Sequence, residues 1–224
     1  MVAIDSSMNF DGIVVRQQGE RPLNGRLIAG AALLTALVGL ATWAVFSFGD
    51  SGMRVGIGYA GRFASFVFLA AMLSGSLGRL FKGPLFDWLR DEQRDMMLAF
   101  AASYGVYIAA IIGGGIFTGT STPAGELFFC LFSTVVLLVV FTASLRSSRP
   151  IFGTAGRRVM LGVANVYFWL SYALMAIAHL AGPHRPDGYY GLFLSLALAA
   201  LLVRFADAFV QKLRYRADLA EKEA

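Results

Sequence analysis

Apolar residues along this chain gather into six long runs, about Leu27–Phe48, Val55–Leu77, Met96–Phe117, Gly125–Leu145, Val159–Ala181 and Gly188–Val203. Each is long enough, or nearly so, to carry a helix across a hydrocarbon core of ~30 Å. Polar residues, Gly and Pro fall between the runs. The pattern predicts an all-α polytopic membrane protein, a bundle of six transmembrane helices.

The connections sort by charge. The N-terminal stretch (Arg16, Arg21, Arg26), the second connection (Arg79, Lys82, Arg90, Arg94), the fourth (Arg146, Arg149, Arg157, Arg158) and the C-terminal stretch (Arg204, Lys212, Arg214, Arg216, Lys222) hold sixteen of the nineteen Lys and Arg. Positive loops favour the cytoplasmic side, so the expected topology has both termini inside. The expected organisation is a cytoplasmic tail over 1–25, a six-helix domain over 26–203 and a cytoplasmic amphipathic tail over 204–224.

Composition agrees with that pattern. The chain is 57% hydrophobic and only 15% charged, against about a quarter charged in soluble proteins. A net charge of +5 then reads as topology facing an anionic leaflet, not as a nucleic-acid footprint. Asp5, Asp11 and Glu20 precede any apolar run, so no cleavable signal peptide is read. A helical bundle without one places the chain in a bacterial inner membrane.

Two shorter patterns lie at the cytoplasmic side. Phe81, Leu85 and Trp88 stand at helical spacing beside charges, which fits a short interfacial helix or a loop with an anchoring Trp. Past Val203, Phe205, Phe209 and Leu213 recur every four residues, flanked by Lys212, Arg214 and Arg216. A basic amphipathic extension of the sixth helix can lie on the membrane or dock a partner. Small residues at Ala71/Gly75, Ser74/Gly78 and Gly113–Gly115 permit close backbone approach.

Ionisable groups at membrane depth are costly and so mark candidate sites. Arg62 enters the second run near its outer end and Glu126 starts the fourth on the same side. They could pair, or Arg62 could snorkel to the headgroups with Glu126 interfacial. In the fifth run Asn165, Tyr172 and His179 are seven apart and share one stripe. Such a seam could relay a proton or hold a quinone, and a buried Asn also commonly ties two helices.

With His179 and His184 the only histidines and Cys130 alone, neither a disulfide nor a protein-only transition-metal centre is expected. No Ser-His-Asp set or phosphate-cradling Gly loop is placed where catalysis would need it, so a catalytic role is not expected.

Several stretches resemble a known family. The run from Tyr59 to Leu80, with its Ser74-Gly-Ser-Leu-Gly-Arg79 end, resembles the second helix of the ferric reductase-like transmembrane domain. That superfamily includes the haem-bearing membrane subunit of the bacterial periplasmic methionine sulfoxide reductase system. Arg94 to Tyr104 resembles the family's entry to its third helix. Phe141-Thr-Ala-Ser144 with Gly156-Arg-Arg158 resembles the passage from the fourth helix to the fifth.

The resemblance implies a six-helix bundle that carries electrons on b-type haems. The ligand positions depart from it: the place after Tyr104 falls on Ile108, and the one after Arg158 on Met160. Three roles stay open. One is a haem-less, non-catalytic subunit, assembly factor or scaffold for a membrane partner. Another is an electron-transfer module with one haem b or a quinone along Asn165, Tyr172 and His179. The last is a small transporter or channel gated by Arg62 and Glu126.

Overall fold

The computed structural model describes residues 23–46, 48–118, 124–144, 149–182 and 188–223. The tail 1–22, the stretches 119–123 and 145–148, and 183–187 with His184 and Arg185, lie outside them. So do the side chains of Glu126, Arg157 and Arg158.

Seven helices account for nearly all of the described chain: α1 (Gly25–Val45), α2 (Asp50–Leu80), α3 (Pro84–Asp91), α4 (Gln93–Thr118), α5 (Ala124–Ser144), α6 (Arg149–Ala181) and α7 (Gly188–Glu223). The described residues contain no strand. Five helices, α1, α2, α4, α6 and α7, are long and apolar enough to cross a membrane. The described side chains of α5 give a shorter apolar stretch, Phe128–Ser144. Such a bundle fits a multi-pass membrane protein.

Sequence dictates where several helices begin. The Asn24 side chain accepts from the Leu27 amide and caps α1, satisfying a donor that the first turn leaves free. The Asn24 backbone N–H donates to Asp95 Oδ2 at 2.8 Å, which fastens the start of α1 beside the start of α4. Gly83 turns the chain into α3 at a φ of 145°, open only to glycine in practice, and Pro84 follows at the first helical position. Within α6, Gly153 takes a φ of 62°, so the helix is broken four residues from its start.

Helices α2, α4, α5, α6 and α7 close a ring, each packed on the next and α7 returning to α2, while α1 lies outside in the groove of α2 and α4. A single residue of α1, Thr35, is buried. The ring encloses Phe68, Phe100, Tyr104, Phe168, Tyr172 and Phe193, all buried. Phe100 stands 4.9 Å from Phe168 and 5.1 Å from Phe68 between ring centroids, and Phe68 5.7 Å from Tyr172. These are offset and edge-to-face spacings that favour aromatic pairs.

Small residues near the C-terminal end of α2 make room for a neighbour. A methyl group at Gly78 would meet the backbone of α3 at Phe86 O and Arg90, and one at Gly75 would meet the Gln93 amide. The stripe thus seats α3. The glycines ending α4 stay helical, with Gly114 against Ile57 and Met53 of α2.

Candidate functional site

The polar residues singled out by sequence fall into different environments. Arg62, on α2, directs its guanidinium at tyrosines: its carbon lies 4.7 Å from the Tyr59 ring centre, 4.8 Å from Tyr189 and 5.5 Å from Tyr190. A guanidinium over aromatic faces at this range is attracted by the ring quadrupoles. The Tyr189 hydroxyl in turn shares a hydrogen bond of 2.7 Å with Ser65 Oγ, one turn below Arg62. Glu126 lies in α5, with its side chain outside the described residues, so the Arg62–Glu126 pairing is proposed no further.

His179 joins the same group from α6. Its ring stacks on Tyr190 with centroids 4.1 Å apart and an angle of 18°. Its Nδ1 donates to the Met175 carbonyl at 2.8 Å. The imidazole is exposed on the outside of the ring of helices. Arg62, Tyr59, Tyr189, Tyr190 and His179 therefore form one aromatic–cationic cluster binding α2, α6 and α7 together. The tyrosines escaped the sequence reading because a tyrosine in an apolar run carries no signal of its own. Only a periodic match to Arg62 across two helices would have found them.

The heptad stripe of α6 divides along its length. Tyr172 is buried among Phe68, Tyr104 and Phe193, and its hydroxyl has no hydrogen-bond partner among the described residues. Asn165 likewise keeps its Oδ1 buried without a partner among them. His179, at the far end, faces outward. The three share a line on the helix and do not share a common space.

Ser133 of α5 makes a second polar knot. Its Oγ lies 2.7 Å from the Tyr167 hydroxyl and also hydrogen-bonds with Tyr104, joining α4, α5 and α6 across the interior. Near the C-terminal end of α2, Arg79 forks onto Asp207 of α7, Nη2 to Oδ2 at 2.6 Å and Nε to Oδ2 at 3.1 Å, and Gln211 Nε2 donates to the other oxygen at 2.8 Å.

The haem that the family resemblance implies does not fit these residues. Ile108, at the expected ligand position, is buried in the aromatic core, which fills the ring where a macrocycle would need to lie. Met160 is half-exposed and His179 points outward. Among the described residues no group of three or more His, Cys, Asp and Glu is placed to hold a metal ion.

No family model, curated protein or solved structure matches this chain.

Proposed function

We propose that this chain is a six-span bacterial inner-membrane protein, with α5 as the sixth crossing and both termini in the cytoplasm. It works as a non-catalytic subunit, assembly factor or scaffold for another membrane or membrane-associated protein. One observation carries the reading. The interior of the helix ring, where a haem, a quinone head or an ion path would have to lie, is closed by ring-to-ring packing of Phe68, Phe100, Tyr104, Phe168, Tyr172 and Phe193. The distribution of Lys and Arg between alternate connections supports the orientation.

The outer surfaces support a partner. Beyond Asp207, α7 runs on unbroken to Glu223 and exposes Phe209 and Leu213 beside Lys212, Arg214 and Arg216. A basic amphipathic extension of this kind is a surface on which a membrane-associated partner can dock.

The test is an absorption spectrum of the purified protein, oxidised and then reduced with dithionite, together with its mass in a mild detergent. The expected result is a spectrum without a Soret band and a particle larger than one chain. A Soret band with about one haem per chain would overturn the reading in favour of electron transfer, and His179→Leu would then identify the ligand.

A further inference from the structure

Between α1 and the pair α2 and α4 lies a cavity of about 330 Å³, walled by Thr35, Gly39, Ala60, Val106, Ala110 and Gly113 among others. We propose that this cavity holds the hydrocarbon chain of a membrane lipid.

The wall offers water little. Its side chains are apolar except for the Thr35 hydroxyl, which donates to the Ala31 carbonyl at 2.8 Å, and the Trp43 indole, whose buried Nε1 finds no partner among the described residues. Apolar cavities of about 150 Å³ stay dry and take up small apolar molecules instead. This space is more than twice that size and half-open, so its lining lacks dispersion partners until an apolar group enters from outside. Hydrocarbon is the solvent around these helices, so it is the filling that costs least.

The shape of the site is built into the packing of α1. A methyl group at Gly56 would come within 2.6 Å of the Gly39 carbonyl oxygen, so the backbones of α1 and α2 touch there and hold α1 in place. At Gly113 the opposite is true: nothing stands within 4 Å of where a Cβ would be. One pair of glycines closes the groove and another glycine opens it. At the outer end, Trp43 meets Phe48 and Phe117 edge-on at 5.7 and 6.2 Å and caps the space.

The occupant is recognised as a slender apolar chain, which a phospholipid acyl tail and an isoprenoid tail both supply. The protein is reconstituted in vesicles of phosphatidylcholine bearing a diazirine in the acyl chain, irradiated, and its adducts are mapped by mass spectrometry. Adducts on peptides carrying Gly39 and Ala110 should exceed several-fold those at Leu138 and Leu202, which are exposed on the outer faces of α5 and α7. Gly113→Leu, whose side chain enters the open space, should cut the cavity adducts at least fivefold and leave Leu138 and Leu202 unchanged. Ala110→Leu serves the same purpose should Gly113→Leu not insert. Competition with unlabelled phosphatidylcholine assigns an acyl chain, and displacement by an isoprenoid quinone alone assigns an isoprenoid one. Cavity adducts no more frequent than those at Leu138 and Leu202, or undiminished in both variants, overturn the proposal.

Discussion

Arg79, near the C-terminal end of α2, and Asp207 of α7 hold the two helices together through two guanidinium nitrogens on one carboxylate. The two helices run in the same direction, since Ser65 and Tyr189 pair toward the other end. Asp207 is 4% exposed while the Arg79 side chain is 42% exposed. The pair therefore sits between the surface case, worth about 0–1 kcal/mol, and the buried one, where breaking it costs about 3–5 kcal/mol. Arg79→Leu should destabilise the bundle by about 1–3 kcal/mol, read as a lower thermal midpoint in detergent. Asp207→Asn, which leaves no buried charge, should cost less. Equal effects would mean that the carboxylate is solvated.

Ser133 serves two phenols at once, so its loss strands both. Ser133→Ala should cost about 1–3 kcal/mol, the penalty of unpaired buried polar groups. Adding Tyr167→Phe removes one of the stranded hydroxyls, and the double variant should be more stable than the sum of the two singles. Strict additivity in the thermal midpoints would sever the link between α5 and α6 at this point.

Two neighbouring glycines of α2 should respond differently to the same methyl group. Gly78→Ala drives into the backbone of α3 and should cost about 1–3 kcal/mol by overpacking, with faster tryptic cleavage at Arg90 as α3 lifts. Gly75→Ala meets only the movable end of Gln93 and should be close to neutral. Comparable losses at both positions would show that α3 has no fixed seat.

At the other end, His179 acts on Tyr190 as a flat ring. His179→Phe keeps the stack and should leave stability nearly unchanged, while His179→Leu should lose about 0.5–1.5 kcal/mol, the worth of an aromatic pair beyond its area. Equal stability of the two variants would remove the stack from the account of how α6 meets α7.

The helices themselves were legible in the sequence. The expected runs Leu27–Phe48, Val55–Leu77 and Met96–Phe117 lie within a few residues of α1, α2 and α4, because length and hydropathy alone define a crossing segment. Of the stripe Phe81, Leu85 and Trp88, the last two lie in α3, which starts at a Gly–Pro step, while Phe81 ends α2.

The inward faces were not legible. In lipid both the outer face and the core of a helix are apolar, so periodicity cannot tell Phe68, which is buried, from Phe66, which is exposed. Heptad spacing placed Asn165, Tyr172 and His179 on one line, but spacing carries no information on where the neighbouring helix ends. The tyrosines around Arg62 come from α2 and α7, far apart in sequence, and only the closing of the ring brings them together.

Because α7 is one uninterrupted helix gripped at Tyr189 and again at Asp207, it has the mechanics of a lever. The grips lie about 27 Å apart along its axis, and about 24 Å more projects beyond the second. A change of a few degrees in its tilt, made where Tyr190 meets Arg62 and His179, would swing the free end by ångströms on the opposite side. Whatever rests on Tyr215 and Leu219, exposed near that end, would feel the displacement without any rearrangement of the packed interior.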